Sequence, residues 1–311
     1  MGEIGVTSGS VRQGALPSEY FQPVSWQMWK LVGYIGLLIV AVSLGSTYSG
    51  PADILVKGIA FIVGALQFIG IFGLMHESAH GHLARTGKAN RRIGEALSII
   101  VGTSYAGYRI AHLTHHARFR TERDPQEVIH PRRPKPVTIA LLIVATFIGA
   151  PIFLLLRAPL IAIQKSGVLR AIWGPIAAVA FYFGLSVVLP AAQWQFLFLT
   201  ILTAWVLGSM NDIVYHQGLV DEDSLQASTS FDCDIFGQLF LSGANRHAEH
   251  HLYPGVPGPR LVAVSQVLRK DLMSLGVPYE RWFTLAFIRR LITNPVFLPT
   301  PSREEPIKVS K

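Results

Sequence analysis

Eight of the eleven histidines in this sequence fall into three short runs. His76 and His80 stand four apart in "HESAH". His112, His115 and His116 form H-x-x-H-H in "HLTHH", and His247, His250 and His251 repeat that spacing in "HAEHH". Offsets of three and four residues put side chains on one face of a helix, so each run can aim two or three imidazoles at one point. A buried neutral imidazole is a good ligand for zinc, iron or copper. Clustered imidazoles gain little without a metal, so the pattern points to metal binding. "HESAH" also fits H-E-x-x-H, which on a helix is the signature of a zinc protease with Glu77 as general base. A catalytic zinc needs three protein ligands and an open position. Eight patterned histidines exceed that and suit two metal ions, each with several imidazoles. Redox-active iron is then the natural choice. Glu77 becomes a helix-surface residue or a support for a ligand. His82 and His130 have no partner at ligand spacing and read as helix-end residues.

These runs need elements that bring them to one layer. Half of the 311 residues are hydrophobic and only 15% are charged, against roughly 25% in soluble domains. The apolar residues are bunched rather than periodic, which predicts an integral membrane protein. Five stretches approach the roughly 20 residues that span a bilayer: residues 31–48, 54–75, 137–156, 171–189 and 191–210. A weaker stretch, 93–108, contains Glu95 and reads as an interfacial or partly inserted helix. "STYSGPAD" and "PAAQW" carry no Lys or Arg, whereas Arg85, Lys88, Arg91 and Arg92 follow the second stretch and Arg109, Arg118, Arg120, Arg123, Arg132, Arg133 and Lys135 come later. The positive-inside rule puts both termini and these segments in the cytoplasm. Five crossings would separate the last run from the first two. One stretch therefore does not cross, and 137–156 is the choice because Arg157, Lys165 and Arg170 follow it. Four spans are expected, with six as the alternative if 93–108 also crosses.

The formal net charge is +8. The basic residues lie in the loops as membrane orientation requires, and no basic stripe with interleaved aromatics suggests nucleic acid. The single cysteine, Cys233, excludes an internal disulfide, an iron–sulfur cluster or a cysteine zinc site within one chain. Residues 1–27 have no signal-peptide pattern and read as a mobile cytoplasmic tail. Residues 28–293 then form the main domain and 294–311 a second tail.

Three boxes in this order around hydrophobic pairs resemble the membrane fatty acid desaturase superfamily, which also includes carotenoid ketolases and hydroxylases. The resemblance runs from about Trp26 to Ile292. It is carried by "HESAHGHLARTGKANRRIGEAL", "YRIAHLTHHARFRTERDPQ", "GANRHAEHHLYPGVPGPRL" and "GVPYERW". It implies an all-α integral membrane protein of about four transmembrane helices, with a cytoplasmic helical cap holding a non-haem di-iron site. A bacterial inner membrane is the expected location. The resemblance adds His216 in "NDIVYHQG" as a ninth ligand, where spacing alone gives a helix-end histidine. Asn211 resembles the family's water-holding Asn, though it lies five residues before His216 where four is usual. Asp212, Glu122, Asp124, Asn245 and Glu249 are candidate acceptors for the outward N–H groups of ligand imidazoles.

The function implied is oxygen-dependent desaturation of a fatty acyl chain or related lipid. O₂ is the co-substrate and a separate electron donor, such as a ferredoxin, is required, because the chain carries no haem, flavin or cysteine-cluster motif. Phe68, Phe72, Trp205, Met210 and Tyr215 are candidates to line the acyl tunnel. Alternatives within the superfamily are hydroxylation, carotenoid ketolation, oxidative decarboxylation and desaturation of a small amphiphile. An intramembrane zinc protease and a metal transporter are the readings from other classes.

Overall fold

The computed structural model describes residues 16–119, 121, 123–126, 135–216, 225–281, 285–286 and 289. Within them the chain is built from helices. In order these are α1 (Met28–Thr47), α2 (Asp53–His80), α3 (Gly87–Val101), α4 (Tyr105–Arg118), α5 (Lys135–Ile152), α6 (Ala158–Ser166), α7 (Val168–Val188), α8 (Ala191–His216), α9 (Asp234–Phe240), α10 (His247–Leu252) and α11 (Gly258–Ser274). Five helical segments are long and apolar enough to cross a membrane: Ser18–Thr47, Asp53–His80, Ile143–Ser166, Val168–Val188 and Ala191–His216. The described residues also include a parallel pair of two-residue strands, β1 (Ser230–Phe231) and β2 (Tyr279–Glu280), in the register Ser230 to Tyr279.

The chain divides into two compact units interleaved in sequence. Unit one comprises Met1–Gln22, His112–Thr146 and Met210–Lys311; unit two comprises Pro23–Ala111 and Phe147–Ser209.

In unit two, α1 packs along α2, α3 against α2 and α7, and α6 against α7. Lipid gives helices no hydrophobic reason to associate, so small residues that permit close approach carry the interface. An added Cβ at Gly70 would lie 2.6 Å from the Tyr34 ring, and one at Gly64 would lie 2.8 Å from Thr200. Large apolar residues such as Trp29, Leu55, Val179 and Phe183 point outward. The core beneath includes Tyr34, Ile71, Leu74, Met75, Leu97 and Tyr108.

The expected segment 93–108 is two helices. Gly102, at φ +84°, ends α3 in a left-handed cap. With α3 amphipathic and only 15 residues long, this segment is not among those long and apolar enough to cross a membrane. The stretch expected at 137–156 continues further: α5 passes through a π-helical turn (Phe153–Arg157) straight into α6. Thr103 Oγ1 donates to the Leu154 carbonyl at 2.6 Å and pins that turn to the α3–α4 junction.

In unit one, α10 and α9 pack on α11, and α10 meets β1. The core there includes Ala248, Val256, Leu261, Val264 and Leu272. Leu16 and Tyr20 pack on it, while Gln27, in unit two, is fully buried. Of the expected tail, residues 16–27 are described and include the 3-10 turns Ser18–Phe21 and Ser25–Gln27. Residues 1–15 and the expected tail 294–311 lie outside the described residues.

Candidate metal centre

In unit one, three elements present imidazoles to one another. The α4 helix carries His112, His115 and His116, α8 ends on His216, and the short α10 carries His247, His250 and His251. His112, His116 and His250 each offer a ring nitrogen within 4.8 Å of the others, and so do His115, His216 and His251. His247 joins the second group: its Nε2 lies 2.9 Å from His216 Nε2 and 3.2 Å from His251 Nε2. In the first group, His116 Nε2 lies 3.1 Å from His112 Nε2. Two nitrogens bound to one metal at about 2.1 Å and at right angles sit about 3.0 Å apart. The spacing is that of adjacent ligand positions on an octahedral ion, a tetrahedral one setting them about 3.4 Å apart.

The outward nitrogens fix which ring atom faces inward. His115 Nδ1 donates to Asp124 Oδ2 at 2.8 Å, His112 Nδ1 to Gln126 Oε1 at 3.0 Å, and His216 Nδ1 to the Ala227 carbonyl at 3.1 Å. A neutral imidazole that donates through Nδ1 keeps its lone pair on Nε2, the form a metal requires. Burial, reinforced by the neighbouring His247 and His216, holds the His251 pKa well below the ordinary imidazole value, so this ring is also neutral. The residues present therefore fit metal ions.

Aromatic rings close the cluster. Phe119 sits with its ring centroid 4.4 Å from that of His251 and 4.7 Å from that of His216. Tyr215 stacks on His247 at 4.0 Å, nearly parallel.

The third box is anchored by charge. Arg246 bonds Asp232 and Asp234, each at 2.7 Å, and Arg269 makes a second pair of bonds to Asp232. The Arg269 hydrogen bonds, with Arg246 behind them, hold the Asp232 carboxyl below its usual range. Burial pushes the Cys233 thiol up to about 11, so it is an unreactive protonated thiol at neutral pH.

In unit two, the first box ends α2. Gly81 takes a left-handed φ of +87°, and the His82 amide donates back to the Glu77 carbonyl at 3.0 Å. That turn is why a glycine follows His80. It also folds His82 under the helix, where it is 3% exposed. The Glu77 carboxylate accepts from Gln27 Nε2 at 3.1 Å and lies 3.4 Å from His82 Nδ1 and 3.7 Å from His76 Nδ1. The ring centroids of His76 and His80 are 4.9 Å apart. A protease base must reach a metal-bound water. Glu77 instead lies on the Nδ1 side of His76, enclosed by Gln27 and His82.

The other predicted site residues are placed as follows. Asp124 contacts a clustered histidine. Glu249 does not: its oxygens accept from Ser230 and from Tyr279, the latter at 2.7 Å. Asn245 does not either, since its Nδ2 donates to the Phe231 carbonyl and to Asp234. Both bond back to the β1 region, Glu249 from the far face of α10 and Asn245 from the turn before it. Asp212 is exposed one turn before His216. Asn211 is five residues before it on a continuous helix, which rotates it by about 140° from the His216 face. Glu122 and His130 lie outside the described residues. Among the proposed tunnel residues, Phe68 is buried in helix packing and Trp205 packs beside it. Phe72 meets the Tyr108 ring edge-on. Sequence reasoning missed Phe119, Gln126 and Gln27. Phe119 was visible as the residue four after His115, one turn further along the face. Gln27 carried no signal, because its partner is 50 positions away.

Apolar helices long enough to cross a membrane and histidines gathered in groups that could hold metal ions define, by class, a metal-binding membrane protein. The family model described as fatty acid desaturase matches residues 52–283, and the chain belongs to that family. No curated protein matches the chain.

Proposed function

We propose that this protein is an oxygen-dependent di-iron desaturase that introduces a double bond into a fatty acyl chain or related lipid. His112, His115, His116, His216, His247, His250 and His251 hold the two ions. His76 and His80 join them on the strength of the family's box pattern. Bound there, two iron ions would supply the redox chemistry by which O₂, two electrons from a separate donor protein and two protons take two hydrogens from adjacent methylenes, leaving a double bond and two waters. The protein's own part is positional. Asp124, Gln126 and the Ala227 carbonyl fix the imidazoles with Nε2 inward. Phe119 and Tyr215 exclude water from the His216–His247–His251 side, which keeps the ligands neutral and the reaction apolar. No nucleophile or general base of the chain takes part. The active face is cytoplasmic, in a bacterial inner membrane, in keeping with the basic loops.

The single observation that carries this reading is the pair of imidazole groups with nitrogens about 3 Å apart, in a chain of this family. Metal analysis of the purified protein should find about two irons per chain. Lipid profiling of a host expressing the wild type should show a new unsaturated product that the His116→Ala variant does not make. One zinc per chain, or an unchanged lipid profile with full iron, overturns the proposal. A hydroxylated or keto product would keep the metal site and reassign the outcome.

A further inference from the structure

Unit two contains a cleft of about 430 Å³ that the desaturase reading does not use. Its walls come from three helices. Arg91, Glu95 and Ser98 lie on α3, Tyr105 and Arg109 on α4, and Arg170 and Trp173 at the start of α7, with Ser166 closing the end of α6. Three arginines and one glutamate therefore share the lining of one cleft. Arg109 spends one N–H on the Ala79 carbonyl at 3.1 Å and keeps the others. Arg91 and Arg170 make no hydrogen bond or salt bridge to any described residue. Membrane orientation explains basic residues scattered along loops. It does not explain three that converge from separate helices on a ligand-sized cavity.

The cleft is also amphipathic. Trp173 is 63% exposed and Leu169 82%. From them a row of exposed apolar side chains (Ile176, Val179, Phe183) runs along α7 at helical spacing. Lys- or Arg-lined pockets between membrane helices take anionic lipid headgroups, and tryptophan belongs at the headgroup level. A guanidinium binds a phosphate through two parallel N–H···O bonds, which a zwitterionic headgroup masks with its own cation.

We propose that this cleft binds one anionic membrane phospholipid, with its phosphate among Arg91, Arg109 and Arg170 and an acyl chain lying along the Trp173–Phe183 face of α7. The proposal stands on lipid binding and does not depend on turnover.

The test uses the full-length protein purified in a nonionic detergent. Native mass spectrometry should show one dioleoyl phosphatidylglycerol retained roughly tenfold more tightly than dioleoyl phosphatidylcholine. The double variant Arg91→Gln/Arg170→Gln should lose that preference while phosphatidylcholine binding stays the same. Arg91→Lys/Arg170→Lys should keep most of it. As a measurement on the unaltered charge set, phosphatidylglycerol brominated on its acyl chain should quench tryptophan fluorescence, and Trp173→Phe should remove the quenched component. Equal binding of the two lipids overturns the proposal. So does a preference that survives in a folded double Gln variant, or quenching that Trp173→Phe leaves intact. Displacement of the lipid by millimolar inorganic phosphate would also overturn it, by making the cleft a site for a free anion.

Discussion

An imidazole binds a metal only through a nitrogen without a proton, so the atoms behind each ring decide whether it can serve. For His115 that atom is Asp124 Oδ2, at 2.8 Å and buried. Asp124→Asn keeps the shape but removes the charge that favours a proton on Nδ1. It should weaken metal binding roughly 10- to 100-fold, measured by competition with a chelator, while the fold persists. Equal affinity in the variant would show that the carboxylate is a loop anchor only. Glu77 makes a related prediction in unit two. It is buried with Gln27 and His82 around it, so Glu77→Ala leaves buried polar groups facing a cavity and should destabilise by about 1–3 kcal/mol. Glu77→Gln should recover part of that loss in thermal melts. The histidines were legible in the sequence because their spacing repeats. The atoms behind them were only partly so. Asp124 was among five acidic or amide candidates, but spacing could not distinguish it from Glu249 and Asn245, whose side chains turn toward β1.

The boxes stay in place because short elements around them are held by close approaches and by charge. Gly243 precedes the third box with φ +86°, and a Cβ there would lie 2.1 Å from the Gly258 carbonyl oxygen. Gly243→Ala is therefore both strained and in collision with backbone, and should cost about 1–3 kcal/mol or more. Gly58→Ala is the control, since its added Cβ meets nothing within 4 Å; its melting temperature should equal or exceed the wild type's. The Asp232–Arg246–Arg269 clamp makes a pH prediction. The folded pKa of Asp232 is below its unfolded value near 4. Its stabilisation is therefore complete above about pH 4 and disappears as pH falls through the lower folded value. Melting temperatures between pH 3 and 7 should fall at the acid end in the wild type. Asp232→Asn should start lower at pH 7 and fall less. At this scale the long apolar helices were readable from composition, because a bilayer demands length and apolarity and little else. The break at Gly102 was missed because the apolar residues on either side of it read as one stretch. The run-on of α5 into α6 was missed because Arg157 interrupts the apolar run at its end. The strand pair was invisible, since two residues carry no periodicity.

At the scale of the whole molecule the question is sidedness, and unit one constrains it. His115 on α4 and His216 at the end of α8 have ring centroids 5.3 Å apart, so the chain must leave and return to the same side of the membrane between them. Three apolar segments lie in that interval: α5–α6, α7 and α8. An even number of them cross. The π-helical turn between α5 and α6 is bonded to the α3–α4 junction through Thr103 and Leu154. A Cβ on Gly107 would strike the Ala158 carbonyl oxygen. The middle of α5–α6 is thereby fixed beside the short amphipathic α3, whose charged face belongs at the bilayer surface. It is flanked by Arg157 and Lys165 as well. The expected arrangement is then α7 and α8 as one crossing pair and α1 and α2 as the other. Reporter fusions after residues 90, 125 and 225 should all report cytoplasm, and one at Gly50 should report the opposite side. A fusion at residue 167, between α6 and α7, is the most discriminating, because it reports cytoplasm only if α5–α6 does not cross. An external signal at 167 with cytoplasmic signals at 125 and 225 would keep the metal centre and transfer the non-crossing role to α7 or α8. Opposite signals at 125 and 225 would break the shared centre itself.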